Sequence, residues 1–485
     1  MRLTAQMDNR RTGFQGEGTA LAALREQFRF RPPGYFWSPR YQNGSWDGYI
    51  TLFRYGKVPT GLFLDCQAQL EQKGFKFQVE DRRTAIPFRA IPSKLAARLR
   101  PYQIQCIDAM VENSRTGGLI INCTASGKTF IAGAYFARLQ GAGLFINDEL
   151  TLLEQSRRAF VDLLGEREVG EIGHGVFLPK RITVATIQTL HRHRRNPKFE
   201  SWFQNLQTVI IDELHLALNR QNLDVLERIK PPAVFGLTAT LELEKPHVRM
   251  RAVALAGPPI YRYPLMQGVE EGVISPGVFV QVLFPQHSVS SNYQAEYHTL
   301  ISHSSSRNRC IEALVREGLR RGRRVIVLVE RLAHLQILSR RLKNLPHRII
   351  CGAYSKEFRF EAKTDMDRGK LPLILASRVF AKGIDIRTVD TIIDATGSRS
   401  KNSVVQRYGR GTRMGKGKAG LLYLDIGDCS YRGERNRFAA CSRSRFAALK
   451  QLGVSALRMR WEGDAQEIYN LALKAMPKQS SSIIH

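Results

Sequence analysis

The sequence predicts an α/β chain: two tandem parallel-sheet domains behind a small α+β amino-terminal domain. Three observations carry that prediction. From Leu99 to about Gly257, short apolar runs alternate with segments of helical spacing, and a second such alternation begins near residue 276. Before the first alternation, the chain is crowded with aromatic, arginine and turn residues. Its 485 residues are too many for one core, and on the order of two to four domains is expected.

Composition narrows the function. A hydrophobic content of 43% supports folded domains over a disordered chain. Lys and Arg number 73 against 43 Asp and Glu, a formal charge of +30 that points to a polyanion, most commonly nucleic acid. A membrane surface is the rival, but no long apolar span or basic amphipathic anchor supports it, so no membrane partner is expected. The seven cysteines are scattered without a C-x-x-C pair, which argues against a disulfide framework or zinc site and fits a reducing cytoplasm. Polar residues follow Met1-Arg2-Leu3, so no secretory signal is read and a cytoplasmic location is expected, the host's if the chain is phage-encoded.

Residues 1–90 read as the small module. Leu21 and Leu24 to Phe28 suggest a helix, Pro32-Pro33-Gly34 and Asn43-Gly44 are turn signals, and Gly48 to Arg54 alternates like a strand. Phe28, Phe30, Tyr35, Phe36, Trp37, Tyr41 and Trp46 interleave with Arg29, Arg31 and Arg40. Most of these rings are expected in the module's core. The arginines, Arg29 and Arg40 among them, are the better candidates for DNA contact.

Residues 91–260 read as the first sheet domain, with strands at Leu119–Ile121, Gly143–Ile146, Ile182–Ala185, Val209–Ile211 and Val234–Leu237. Upstream stand Arg100, Tyr102 and Gln103, where a glutamine amide can read an adenine edge while ring and guanidinium pack on the base. The strand at Leu119 leads into Thr124-Ala125-Ser126-Gly127-Lys128-Thr129 and then a helical pattern. Such a loop directs backbone N–H groups and a helix dipole at one phosphate; Lys128 would reach the β- and γ-phosphates and Thr129 would ligate magnesium. Alone, it could be an ordinary strand–loop–helix corner. The run Val209-Ile210-Ile211 ends in Asp212-Glu213-Leu214-His215, delivering two carboxylates to the carboxyl edge where ligands of open sheets bind. Asp212 would hold the magnesium ion and Glu213 would orient or deprotonate the attacking water; the plainer reading is an acidic pair capping a helix. Thr238-Ala239-Thr240 follows the next strand, its hydroxyls placed to bridge nucleotide and strand sites.

Residues 261–275, rich in Pro and Gly, read as a linker, and 276–475 as the second sheet domain, with strands at Val325–Val329, Arg348–Cys351, Leu373–Ala376, Thr391–Asp394 and Gly420–Leu424. No second phosphate loop is present. Instead, Gln406, Arg410 and Arg413 would share one face if the chain is helical from Val404, presenting an amide and two guanidinium forks to a triphosphate; a solvated basic helix is the alternative. In Phe380-Ala381-Lys382-Gly383-Ile384-Asp385, Gly383 permits close backbone approach and Asp385 could accept from a ribose hydroxyl. The arginine-rich stretch from Asp428 reads as a closing helical segment, and 476–485 as a tail.

The ordered set of Arg100–Gln103, Thr124–Thr129, Val184–Leu190, Asp212–His215, Thr238–Thr240, Phe380–Asp385 and Gln406–Arg413 resembles that of superfamily 2 helicases of the DExH type. With the amino-terminal FRFRPPGYFWSP…GSWDGYITLF, the chain is similar to the recombination helicases of T4-like phages. The resemblance implies two RecA-like motor domains, ATP and Mg2+ as cofactors, and remodelling of branched DNA: fork regression, Holliday-junction branch migration, and D-loop or R-loop unwinding. It also implies that Thr186, Gln188 and Ser377 lie near the tracked strand, and a monomer is expected. The chain departs from the pattern at Asn122, which stands where the phosphate loop carries a small residue, and at Ile146–Leu150, which lacks the usual proline. Alternatives are a double-strand translocase, an RNA helicase, or a basic nucleic-acid-binding protein with a decayed motor.

Overall fold

The structure is a computed structural model, described here for residues 1–229, 231–239, 243–286, 292–377, 387–397, 400–415, 417–430 and 436–477. It divides into two compact units: Met1–Asn122 with Gly127–Tyr263, and Cys123–Ser126 with the chain from Pro264.

The first unit is built on an eight-stranded sheet in the order Val176–Leu178, Val169–Gly173, Ile182–Thr186, Ala142–Asn147, Leu206–Ile211, Ala233–Thr238, Gly117–Asn122 and Pro259–Tyr263. Only the edge pair of Val176–Leu178 with Val169–Gly173 is antiparallel. The five strands expected from apolar runs lie side by side at the centre. Their near-continuous hydrophobicity fits strands covered on both faces, as in Ile182–Thr186 and Ala233–Thr238, buried at every position. Registers bring the carboxyl ends level: Thr186 pairs with Asn147, Ile146 with Ile211, Ile211 with Gly236, and Thr238 with Ile121.

The segment read as a linker is structured at its start. Pro259–Tyr263 adds a parallel edge strand and Leu265–Glu270 forms a helix. An edge strand tolerates Pro259 at its first position, and that proline disguised it as a connector.

The amino-terminal residues form a four-stranded sheet, Lys57–Pro59, Arg11–Gly16, Arg2–Met7 and Lys76–Asp81, with helices Gly18–Gln27 and Thr60–Gln72. Its apolar residues Leu3, Phe14, Phe28 and Phe63 join one core cluster with Leu119, Leu144 and Val253. The helix Thr60–Gln72 rests on Pro246–Ala256 so closely that a Cβ on Gly61 would stand 2.5 Å from the Cα of Gly257. Arg249 fixes the same contact with hydrogen bonds of 3.0 and 2.7 Å to the two carboxylate oxygens of Asp65.

The second unit carries a seven-stranded, wholly parallel sheet: His347–Ile350, Leu373–Ser377, Val325–Val329, Thr391–Asp394, Leu421–Ser430, Gly277–Gln286 and Ser455–Arg460. The interior strand Leu421–Ser430 includes two buried aspartates, and each is paired. Arg445 Nε reaches Asp425 at 3.0 Å and Arg307 reaches Asp428 at 2.6 Å, so neither carboxylate is left uncompensated in the core. The arginine-rich carboxyl-terminal stretch is not helical throughout. Between helices Arg437–Gln451 and Ala465–Lys474, Ser455–Arg460 forms an edge strand, with Arg458 lying 4.0 Å over the Phe446 ring.

Candidate functional site

The strand Gly117–Asn122 ends in a loop whose backbone turns left-handed twice, at Ala125 (φ 68°) and Gly127 (φ 79°), before the helix Lys128–Arg138. Left-handed residues immediately before a helix N-terminus aim successive N–H groups at one point and form an anion nest. Ser126 Oγ donates to the Cys123 carbonyl at 2.8 Å, and Lys128 Nζ donates to the Asn122 carbonyl at 3.3 Å. Thr129 follows on the first helical turn. Asn122 is wholly buried. Its amide nitrogen lies 3.8 Å from Cys106 Sγ and its Oδ1 has no hydrogen-bond partner.

Gln103 lies against this loop. Its Oε1 accepts from the Arg100 backbone N–H at 3.0 Å, and a Cβ on Gly127 would stand 2.8 Å from its amide nitrogen. The positive φ favours glycine at 127, and a larger residue would also displace the Gln103 amide. Tyr102 is buried, its ring stacked on Tyr263 with centroids 3.9 Å apart and planes 11° from parallel.

Two strands away, Leu206–Ile211 delivers the acidic pair to the same end of the sheet. Asp212 N–H donates to the Ile146 carbonyl at 2.9 Å, and Asp212 Oδ1 accepts from Glu213 N–H at 3.1 Å. Glu213 takes φ 48°, a costly conformation for a non-glycine residue, and leads into Leu214–Ala217. His215 Nδ1 lies 3.4 Å from Glu213 Oε2. Burial, and then the charge on Lys128, push the His215 imidazole down to about 4, so it is neutral near pH 7. Lys128 is thus near enough to His215 for its charge to act on the imidazole, at the same carboxyl edge of the sheet. Thr238, buried at the end of the strand between them, completes that edge.

The donors here suit magnesium. Asp212 and the Thr129 hydroxyl are hard oxygens, and a metal of this kind keeps most of its shell as water and phosphate oxygens. Among the described residues, no group of three or more His, Cys, Asp or Glu could hold a metal by itself.

The strand-contact candidates differ in setting. Thr186 caps the helix Ile187–His193, its Oγ1 accepting from Thr189 N–H at 3.4 Å and lying 2.8 Å from Thr189 Oγ1. Gln188 is exposed and donates to the Asp148 carbonyl at 2.6 Å. Asn147, at the same edge, is 1% exposed with neither end of its amide hydrogen-bonded. In the second unit, Ser377 ends the strand Leu373–Ser377, buried and with its hydroxyl unpartnered.

The helix Lys401–Gly411 carries Gln406 and Arg410 one turn apart, both half-buried. Arg413 lies beyond the helix. The helix stops at Gly411, and Arg413 pairs as an isolated bridge with Ile274. Gly409 and Gly411 weaken the last turn. The exit is then held by Ser275 N–H, which donates to Thr412 O at 2.8 Å, and by Lys418 Nζ, which donates to the Gly411 and Arg413 carbonyls, the latter at 3.1 Å. Lys418 was not singled out in the sequence. Gly383, Asp385 and Thr240 lie outside the described residues.

On the amino-terminal module, Phe28 and Phe30 are buried; Tyr35, Tyr41 and Trp46 are half-buried; Phe36 and Trp37 are exposed. Arg29 pairs with Glu26 and, at 3.7 Å, with Asp47, and lies 4.1 Å over the Tyr49 ring. Arg40 is exposed.

Three family models match the chain in succession: DNA helicase UvsW, N-terminal, at residues 8–80; type III restriction enzyme, res subunit, at 96–243; and helicase conserved C-terminal domain at 307–415. The chain is 26% identical over 447 residues to the ATP-dependent DNA helicase uvsW of Enterobacteria phage T4, covering 85% of this chain and 88% of that protein. It is 25% identical over 448 residues to the DNA 3'-5' translocase XPB2 of Sulfurisphaera tokodaii, covering 84% and 96% respectively. In fold it matches S. cerevisiae Dbp5 bound to RNA and ADP BeF3, with a TM-score of 0.54 at 15% identity over 79% of this chain and 95% of that one. A UvsW amino-terminal match, a restriction-enzyme res-subunit match and a helicase carboxyl-terminal match, in that order, make the chain similar along most of its length to the ATP-dependent DNA helicase UvsW.

Proposed function

We propose that the chain is an ATP-driven DNA helicase that remodels branched DNA, regressing forks, migrating Holliday junctions and unwinding D-loops or R-loops in recombination and repair. The observation that supports this reading is the shared sheet edge: Lys128, on a loop with left-handed residues, and Asp212-Glu213, two strands away, lie at the same carboxyl end of one parallel sheet.

In this reading the loop N–H groups and Lys128 bind the β- and γ-phosphates of ATP, while Gln103, with Arg100 and Tyr102, borders the base. Thr129 and Asp212 would hold a magnesium ion, which would supply charge neutralisation on the phosphates. Glu213 orients the attacking water and takes its proton. Gln406, Arg410 and Arg413 are assigned to the transferred phosphoryl group, where guanidinium charge offsets the charge that develops there. Thr186, Gln188 and Ser377 grip the strand backbone, so sequence is not read. The protein acts as a cytoplasmic monomer.

Similarity to a protein named as a DNA translocase supports a second reading, in which this chain moves along double-stranded DNA without unwinding it. A panel of forked DNA, four-way junction, R-loop, forked RNA and plain duplex at fixed salt separates the two. Branched DNA is expected to stimulate ATP hydrolysis most and to be unwound. Equal stimulation by plain duplex with no unwinding would leave the translocase.

A further inference from the structure

The amino-terminal module carries a two-residue hairpin that the nucleotide site does not explain. Arg54 and Lys57 exchange backbone hydrogen bonds of 2.9 Å each, with Tyr55 (φ 52°) and Gly56 (φ 71°) at the tip. This is a turn that demands positive φ at both central positions and is ordinarily filled by Asn-Gly, Asp-Gly or Gly-Gly. A tyrosine in the first place is strained, and its ring gains nothing within the protein, being 100% exposed.

The tip is nevertheless held firmly. Phe14 N–H donates to the Gly56 carbonyl at 2.9 Å. Phe53 and Val58, just behind the tip, are buried, and the Phe53 ring lies 6.2 Å from Phe14. Arg54 and Lys57 flank the tip, both exposed. An isolated exposed apolar residue needs no explanation. A bulky ring in a backbone conformation that asparagine would occupy more easily, standing fully in solvent between two cations, does. Exposed Phe36 and Trp37 on the same module, with exposed Arg31 and Arg40, give the same mixture of ring faces and positive charge.

We propose that Tyr55 is a base-stacking contact: its ring, presented by the Arg54–Lys57 hairpin, stacks on an unpaired base of DNA while Arg54 and Lys57 neutralise phosphates on either side. Every base offers a π-face, so the contact is indifferent to sequence, and the cations on each side hold the strand while the base stacks. The inference rests on the reading of the chain as a DNA motor and adds a contact for unpaired nucleotides at a branch.

The test uses the full chain and a forked DNA carrying 2-aminopurine at an unpaired position. Wild-type protein is expected to quench the probe. Tyr55→Asn suits the turn better than tyrosine, so its melting temperature is expected to hold or rise while quenching is lost and fork affinity falls about tenfold. Tyr55→Trp is expected to keep quenching. Arg54→Ala is expected to lower affinity and to reduce the salt slope by about one. Quenching by Tyr55→Asn equal to wild type, with fork-stimulated ATP hydrolysis intact, would overturn the stacking contact alone. Wild-type protein that neither binds the fork nor hydrolyses ATP faster in its presence would overturn the motor reading and this contact together.

Discussion

Arg407 lies 3.0 Å from Asp394, both almost wholly out of solvent, and the pair pins the helix Lys401–Gly411 to the strand Thr391–Asp394. Burial alone would raise the Asp394 pKa, but Arg407 and hydrogen bonds from Thr396 and Tyr423 outweigh it and hold the carboxyl below its ordinary range. Arg407→Met leaves that carboxylate buried without its cation, and is expected to cost about 3–5 kcal/mol. Adding Asp394→Asn should recover part of the loss, because the two sites are coupled. Urea denaturation of the single and double variants measures both; additive losses would show the pair to be energetically independent.

Lys418 gives the second unit a pH dependence. Its burial, opposed by the charge of Asp390 and reinforced by that of Arg323, lowers its pKa from 10.5 to about 7. Between those values the unfolded chain holds a proton that the folded chain has released, so stability rises with pH from about 7 to about 10.5. Lys418→Met is expected to flatten that rise and, by leaving the Gly411 and Arg413 carbonyls without their donor, to lower stability at pH 10. Denaturation midpoints at pH 7 and pH 10 for both proteins decide it.

His215 acts in the opposite range. Its folded pKa of about 4 lies below the ordinary 6.5, so the unfolded chain binds the extra proton first and stability falls as pH drops between those values. Lys128→Ala removes the lesser of the two causes and is expected to move the His215 titration part of the way back toward 6.5. Histidine proton resonances followed against pH read the shift; an unmoved His215 would separate the lysine loop from the acidic turn.

The same two elements set the catalytic expectation. Lys128→Ala is expected to cut ATP turnover by at least about 100-fold through lost charge stabilisation, and Glu213→Gln to do so by about 100-fold or more through the lost base. Glu213→Gln should still bind nucleotide. Turnover and nucleotide affinity measured together test the assignment, and full turnover in either variant would remove that residue from it.

Much of this was legible in advance. The five central strands of the first unit were readable because strands buried on both faces are apolar at nearly every position. Edge elements were harder. Pro259–Tyr263 was hidden by its proline and Ser455–Arg460 by its arginines, since a half-solvated strand carries a weaker apolar signal. The Gln406–Arg410–Arg413 spacing assumed a helix that in fact stops at Gly411, where the glycines were the available warning. Lys418 and Tyr55 carried almost no signal. The role of each depends on burial or exposure set by distant packing, although Tyr55-Gly56 between two strand-like runs does mark a turn.

Close packing on the amino-terminal module was equally invisible in the sequence. Gly61→Ala forces a methyl group toward the backbone of Gly257, which cannot yield as a flexible side chain could, and is expected to destabilise by about 1–3 kcal/mol. Thermal denaturation of the first unit's transition would report it; an unchanged midpoint would mean the two helices can separate freely.

The Tyr102–Tyr263 stack has a mechanical corollary. Tyr263 is the last residue of the first unit, and its ring is bolted to the residue beside Gln103. Tension on the chain where it leaves that unit is therefore passed through two stacked rings to the start of the helix Pro101–Glu112, so the last strand of the sheet and the first turn of that helix are mechanically one piece.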